Sequence, residues 1–211
     1  MDVIALAKHE FPFKSIPPFA EKRGTRQREM DLQQIIRNIQ MLLPQELQRN
    51  IELTLAEQEL PVMIDMAQLQ AALLNLIRNA QEAMPEEGRI TISTGSARLY
   101  GDSAGKRGRG SPKTWAFVSI SDTGSGIDEE TRSRIFEPFY TTKGDPHQGL
   151  GLPMASRTIR QHNGTIDIET RSGHGTTVKV YLPFAGRKPA RRKAIPLPPA
   201  GTAIVAPLRQ R

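Results

Sequence analysis

Residues 122–128 read DTGSGID and come directly after WAFVSIS (115–121), an apolar segment that is typical of a buried strand. Two glycines separated by one residue, with an aspartate on either side, favour a loop shaped around a ligand. The dinucleotide-binding fingerprint is excluded, because it needs a third glycine and a helix that opens on the second. The stretch therefore predicts a binding loop at the end of a strand, with a metal ion, ATP and no ligand at all as the open alternatives.

The segments around this loop predict a sheet. RITISTGS (89–96) alternates between apolar and polar residues and is expected to form a hairpin with the strand that precedes the loop. GTIDIET (164–170) and GTTVKVYL (175–182) form a second hairpin, turned at RSGHG (171–175). IELTLA (51–56) alternates in the same way and adds a half-buried strand.

Helical spacing of apolar residues predicts helices over 31–43, 66–84, 129–136 and 150–163. Asp31 and Asp65 are the expected N-caps of the first two helices, and Pro44 is expected to end the first. Because the strands mostly alternate, one face of the sheet is apolar and needs a cover of helices. The predicted fold class is therefore α+β, a two-layer α/β sandwich with a mixed sheet covered on one face.

The composition is that of a soluble globular protein, with 37% hydrophobic and 24% charged residues in 211. The absence of cysteine excludes disulfides, cysteine zinc sites and thiol catalysis. No stretch approaches the ~18 uninterrupted apolar residues of a membrane span, and the N-terminus lacks the pattern of a signal peptide. We expect a cytoplasmic protein with no membrane span in this chain.

The net charge of +7 belongs to one end of the chain. Residues 185–211 carry seven basic residues and no acids, so the rest of the chain has 22 basic and 22 acidic residues. We therefore predict three segments: an irregular lead-in (1–28), a folded domain (29–184) and a disordered, basic, proline-rich tail (185–211). Specific nucleic-acid binding is not expected, since neither the tail nor the loop 101–113 has aromatic support.

A polar stripe runs beside the apolar face of the predicted helix 66–84. Asn75, Asn79 and Glu82 stand at positions i, i+4 and i+7, where a solvent-facing flank is the plain alternative. Asparagine is a mediocre helix former, so two of them one turn apart favour a functional role. Amide and carboxylate oxygens on one helix face suit a hard cation such as Mg²⁺.

Two further glycine pairs follow, in QGLGLPM (148–154) and SGHGTT (172–177). The first opens a predicted helix, where backbone N–H groups can receive phosphates. A hairpin turn or a helix start explains each pair about as well. GDSAGKR (101–107) is not a phosphate-binding P-loop, because it is one residue short and ends in Arg where Ser or Thr is needed.

The order of these segments is more specific than any one of them. NLIRNAQEAM (75–84), DTGSGI (122–127), IFEPFYTTK (135–143) and GLGL (149–152) follow one another, with GHGTT (173–177) before a terminal strand. In this order the chain resembles the ATP-binding catalytic domain of sensor histidine kinases, in the GHKL superfamily that also includes gyrase and Hsp90. The resemblance covers residues 30–184 and implies the Bergerat, or histidine kinase-like ATPase, fold.

The resemblance implies a role for each matched residue. Asn79 would coordinate Mg²⁺ between triphosphate oxygens with support from Asn75, and Asp122 would accept a hydrogen bond from the adenine amine. Gly124 and Gly126 would pass close to base and sugar, Phe136 and Phe139 would anchor a lid over 140–148, and Gly149 and Gly151 would approach the phosphates. The remaining implied ATP-binding residues are Ile127, Thr142, Lys143, Leu150, Leu152 and Thr176.

One position favours a kinase over an ATPase. Hydrolysing relatives carry a glutamate one turn before the metal-binding asparagine, and here that position is Asn75, whose amide cannot act as a general base. A further departure is His147, which stands where the second glycine cluster usually opens with another glycine.

No histidine is predicted to be the phosphoacceptor. Prolines follow His9 too closely for a helical hairpin, His162 looks like a helix-end residue, and His174 lies in a predicted turn. The resemblance therefore implies that ATP and Mg²⁺ bind here, and that the phosphoryl group passes to a histidine on a partner or missing dimerisation domain. A response regulator receiver domain would be the next partner, and oligomers are expected only through other segments.

Two alternatives stand beside the histidine kinase. One is a serine kinase of the anti-sigma-factor type, although the segment IFEPFYTTK (135–143) disfavours it. The other is a non-catalytic ATP-binding module that pairs with an intact kinase.

Overall fold

The computed structural model describes residues 26–85, 87–99, 113–142 and 148–186. Three residues named above, Lys143, His147 and His9, lie outside the described residues. Most of the loop 101–113 and most of the tail 185–211 also lie outside them. In chain order the elements are β1 (Arg28–Asp31), α1 (Leu32–Leu42), α2 (Gln45–Arg49), β2 (Ile51–Thr54), β3 (Pro61–Ile64), α3 (Met66–Ala83), β4 (Ile90–Leu99), β5 (Lys113–Asp122), α4 (Glu129–Arg134), α5 (Gly151–Gln161), β6 (Thr165–Thr170) and β7 (Thr176–Pro183).

The main sheet has five strands in the order β2-β4-β5-β7-β6. The pairs β4–β5, β5–β7 and β6–β7 are antiparallel, whereas β2 runs parallel to β4. Both predicted hairpins are thus confirmed, and the sheet is mixed. Helices α1, α3 and α5 pack together, and α3 lies against β4 and β5. The α+β sandwich predicted from the sequence is confirmed.

The core lies between this sheet and the helices. Alternate residues of β5 and β7, such as Val118, Ile120, Val180 and Leu182, are buried against the helix layer. The opposite face carries Phe117 and Tyr181, whose ring centroids are 6.2 Å apart. Period-two alternation in the sequence therefore separates the two faces as expected.

Helix α3 is held at its start by the predicted cap. The Asp65 side chain accepts a hydrogen bond from the Gln68 N–H at 3.2 Å. Its buried face is wider than a single apolar stripe, since Ala72 and Ile77 are buried beside Leu69, Leu73 and Leu76. The physical reason is that α3 packs on the sheet, α1 and α5 at once, so more than one stripe of side chains is covered.

The structure also contains three short elements that the sequence did not predict, namely β1, α2 and β3. β1 begins at Arg28, inside the segment expected to be irregular, and pairs with β3 in a separate two-stranded sheet. Pro44 ends α1 as predicted, but it also precedes α2, where a proline is tolerated because no helical N–H is lost. At the other end the fold extends to Ala185, which is buried and donates from its backbone N–H to the Pro61 carbonyl at 2.9 Å.

Candidate functional site

A cavity of about 1050 Å³ lies between α3, the loop after β5 and the start of α5. These three segments are far apart in the chain and meet because α3 and α5 pack side by side against the sheet. Of the residues predicted to form the site, the cavity is lined by Asn75, Asn79, Asp122, Gly126, Ile127, Thr142, Gly149, Leu150, Gly151, Leu152 and Thr176. One concave surface thus gathers most of a site that the sequence spreads over a hundred residues.

Asp122 is the last residue of β5 and is buried, with 8% of its surface exposed. Its Oδ1 atom accepts hydrogen bonds from the backbone N–H groups of Gly124 at 2.9 Å and Thr176 at 3.2 Å. Two bonds from separate segments fix the orientation of the carboxylate. An ionised carboxylate accepts hydrogen bonds at two oxygens, which suits a ligand that donates one.

The glycines after Asp122 allow the loop to touch two neighbouring segments. A Cβ atom at Gly124 would collide with the Ala83 carbonyl, where the Ser125 N–H donates to that carbonyl at 3.0 Å. Gly126 has φ of +66°, and a Cβ atom there would collide with the Arg171 carbonyl. The loop is therefore clamped between the end of α3 and the β6–β7 turn, and its backbone is held at the cavity wall.

Asn79 faces the start of α5 across the cavity. A Cβ atom built on Gly151 would lie 3.6 Å from Asn79 Oδ1 and 3.8 Å from Nδ2, so a larger side chain at Gly151 would occupy the space before the amide. Gly151 is the first residue of an eleven-residue helix, whose N-terminal N–H groups and dipole favour an anion. An amide oxygen and a helix N-terminus thus face one another, and Asn75 lies one turn of α3 earlier.

The two phenylalanines lie outside this cavity. Phe136 and Phe139 are 41% and 74% exposed, and Phe136 instead lines a smaller groove beside α5. The backbone N–H of Phe139 donates to the Gly149 carbonyl at 3.1 Å. This bond joins the two ends of the predicted lid, so Phe139 has a backbone contact at the base of that loop.

Several cavity residues were not predicted to be site residues. Tyr140 stacks under the Arg134 guanidinium at 4.1 Å from the ring centroid, and Asp128 caps α4. The Thr131 backbone N–H, at 2.8 Å from Asp128 Oδ1, is the main cause that lowers the pKa of Asp128, followed by the Thr131 hydroxyl. Arg78 also lines the cavity, next to Asn79 on α3, and Glu82 of the predicted polar stripe lies there too. The sequence signal for Arg78 is its place within NLIRNAQEAM (75–84).

The described histidines have the structural positions expected from the sequence. His162 is buried at the C-cap of α5, where its Nε2 accepts from the Asp65 backbone N–H at 2.9 Å and its Nδ1 lies 2.8 Å from the Thr158 carbonyl. His174 is exposed in the turn between β6 and β7.

The profile of a known family, described as histidine kinase-, DNA gyrase B- and HSP90-like ATPase, matches residues 64–186. The chain belongs to this ATPase family. The matched region begins at the end of β3 and includes every segment that lines the cavity.

Relatives within this ATPase family are sensor kinases. The chain is 35% identical to the sensor kinase CckA of Brucella abortus (strain 2308) over 78% of this chain and 18% of that protein. The solved catalytic domain of histidine kinase ThkA is 30% identical with a TM-score of 0.59, covering 74% of this chain and 95% of that one. The structure of full-length ShkA in complex with AMPPNP is 26% identical with a TM-score of 0.57, covering 76% of this chain and 31% of that one.

The resemblance to histidine kinase catalytic domains is thereby confirmed. The chain spans less than half the length of curated relatives that it matches. No helix within the described residues combines the length and the apolar character needed to cross a membrane.

Proposed function

We propose that this chain is the ATP-binding catalytic domain of a two-component sensor histidine kinase. It binds ATP in the 1050 Å³ cavity and transfers the γ-phosphoryl group to a histidine on a dimerisation domain. The observation that carries the proposal is the placement of Asp122 and Asn79 in one cavity, the first fixed at the end of β5 and the second opposite a helix N-terminus.

The nucleoside end of the cavity is assigned to Asp122. A carboxylate that is locked by two backbone N–H groups accepts a hydrogen bond from the adenine amine without first reorganising. Guanine presents a carbonyl at the corresponding position, and that oxygen would face the carboxylate with two acceptors opposed. Apolar residues that line the cavity, among them Ile120, Ile168 and Val178, suit the faces of a base.

The phosphate end is assigned to Asn79 and to the N-terminus of α5. The described residues hold no cluster of three or more acidic or histidine side chains that could bind a metal on their own. The amide oxygen of Asn79 fits Mg²⁺, which takes few ligands from the protein and others from phosphate oxygens. When bound, Mg²⁺ would neutralise phosphate charge, and Asn79 is the residue that would hold it.

The residue before Asn79 on the same face decides between transfer and hydrolysis. Asn75 lines the cavity one turn earlier, where an amide orients a ligand but takes no proton. Because Asn75 is an amide, water has no general base at this position. Phosphoryl transfer depends instead on positioning and charge neutralisation, which this set of residues provides.

We further propose that the domain works in the cytoplasm, with a phosphoacceptor domain and a response regulator as partners. The support is the family of its relatives, which are sensor kinases. Residues 1–184 carry 22 basic and 22 acidic residues, so the charge of this part of the chain does not favour nucleic acid.

Titration with nucleotides tests the proposal. Wild type should bind ATP in preference to GTP, and Asp122→Ala should lose about tenfold or more in ATP affinity, because a hydrogen bond to a charged group contributes about 1.5–3 kcal/mol. Asp167→Ala, on the outer face of the sheet, is the control for loss of a carboxylate. Equal ATP affinity in wild type and Asp122→Ala, or no ATP binding by wild type, would overturn the site.

A further inference from the structure

Arg78 is the one cationic side chain among the described residues that line the cavity. The other charged residues among the described residues of the cavity lining are carboxylates, Glu82, Asp122 and Asp128. A nucleoside triphosphate is strongly anionic, and acidic walls alone would repel it. The position of this single cation therefore bears on where the phosphates lie.

Arg78 stands at the level of the phosphate end. It is adjacent to Asn79 on α3, and a rise of about 1.5 Å per residue places it about 7 Å before Ala83 along the helix. The Ala83 carbonyl contacts the glycine loop beside Asp122, which marks the nucleoside end. The backbone of Arg78 thus shares the height of Asn79 and of the facing start of α5, and its partner Glu82 lies one turn nearer the nucleoside end.

Glu82 holds this arginine. Arg78 Nε donates to Glu82 Oε1 at 2.7 Å, with the two side chains 53% and 21% exposed. A guanidinium has five N–H donors, and the bond to Glu82 uses the one on Nε. The two terminal nitrogens of a guanidinium form a planar fork that suits a phosphate.

The stability of α3 does not explain the pair. Arginine before glutamate is the less favourable order for an i,i+4 pair on a helix. Glu82 also lies in the last turn of α3, where the negative end of the helix dipole disfavours a carboxylate. An exposed ion pair contributes little in any case. Both placements work against the helix, so the pair is better explained by the cavity it lines.

We propose that Arg78 is a phosphate-binding residue that contacts the terminal phosphates of the nucleotide, and that Glu82 positions its guanidinium at the cavity wall. This inference rests on the proposed function and adds a residue that reads the number of phosphates. Affinity should therefore depend on Arg78 strongly for ATP, less for ADP and little for AMP, since the base and sugar lie at the other end.

Calorimetric titration of ATP, ADP and AMP with excess Mg²⁺ tests this gradient in wild type, Arg78→Gln and Arg78→Lys. Arg78→Gln should weaken ATP binding by about tenfold to a hundredfold, as expected for a charged hydrogen bond, and AMP binding by less than about twofold. Arg78→Lys should recover part of the loss, because it restores the charge without the planar fork. Circular dichroism melts confirm that each variant is folded.

Arg89→Gln is the matched control. Arg89 also pairs with a glutamate, Glu52, at 3.5 Å, is 69% exposed, and lies outside the cavity. Arg89→Gln removes the same charge as Arg78→Gln. An equal loss of ATP affinity in the two variants would therefore overturn the inference and indicate a general effect of net charge. ATP affinity unchanged in Arg78→Gln, or equal losses for ATP and AMP, would overturn it as well. If the inference about Arg78 fails in one of these ways while wild type still selects ATP over GTP, the proposed function stands. If wild type binds no ATP, the proposed function and the inference about Arg78 both fail.

Discussion

At the scale of the residue, Asn75 is the position that we expect to suppress hydrolysis of bound ATP. It lines the cavity one turn before Asn79, and a carboxylate there would stand where water meets the phosphates. We predict that Asn75→Glu raises ATP hydrolysis at saturating nucleotide by about 10²-fold, the lower range of a general base. Release of inorganic phosphate measures it. Asn75→Gln, which changes side-chain length without a carboxylate, is the control, and equal rates in the two variants would contradict the prediction.

Tyr181 offers a residue-scale test of the fold itself. Burial, followed by the negative charges of Asp167 and Glu169, raises the pKa of Tyr181 above its ordinary value. The unfolded chain therefore loses the tyrosine proton at lower pH than the folded protein. The contribution of Tyr181 to the free energy of unfolding is complete below about pH 10 and is lost as the pH rises through the folded pKa. Denaturant unfolding between pH 8 and 11 should show a decline that is smaller in Tyr181→Phe; identical slopes would contradict it.

At the scale of the element, His162 joins the two helices that form the cavity walls. It ends α5 and accepts from the backbone N–H of Asp65, the N-cap of α3. We predict that His162→Ala lowers the free energy of unfolding by about 1–3 kcal/mol, because it removes a buried side chain and the acceptor of the half-buried Asp65 N–H. Urea unfolding measures this change. The exposed His174→Ala should change stability by less than about 0.5 kcal/mol, and the prediction fails if the two variants are equally stable.

The elements also show which parts of the fold the sequence can predict. The hairpins β4–β5 and β6–β7 and the helices α3 and α5 follow from local periodicity and from caps such as Asp65. β1 could not be predicted, because its four residues become a strand by pairing with β3, thirty residues later in the chain. The parallel pairing of β2 with β4 likewise depends on contacts across the fold.

The candidate site was predictable to a similar extent and for a similar reason. Asn79, Asp122 and Gly151 were predicted because each stands in a recognisable segment, and the structure places all three around one cavity. Arg78 and Tyr140 lie in the recognised segments NLIRNAQEAM (75–84) and IFEPFYTTK (135–143), but they were not predicted, because their relevance comes from which side of an element faces the cavity. Phe136 and Phe139 were predicted from a segment whose ring positions depend on tertiary packing, and both rings lie outside the cavity.

At the scale of the whole molecule, the open question is where the phosphoryl group goes. Of the described histidines, His162 is buried with both ring nitrogens beside backbone partners, and His174 lies in a hairpin turn. Neither is placed on a helical hairpin of the kind expected for the acceptor. We therefore predict that this chain, incubated alone with radiolabelled ATP, gains no phosphohistidine. When an isolated dimerisation domain from a cognate sensor kinase is added, we expect acid-labile, alkali-stable label on that domain.

Asn79→Ala serves as the control for this transfer, because it removes the amide that would hold Mg²⁺ while leaving the core of α3 intact. Label on the added domain should fall by at least about tenfold in this variant. Label that appears on the chain alone would place the acceptor within it, contrary to the prediction. If ATP binds with the expected selectivity but no dimerisation domain is labelled, the cavity functions as a nucleotide-binding module. The positioned amide and helix N-terminus would then serve binding without transfer, and the absence of a base at Asn75 would protect a bound nucleotide from hydrolysis.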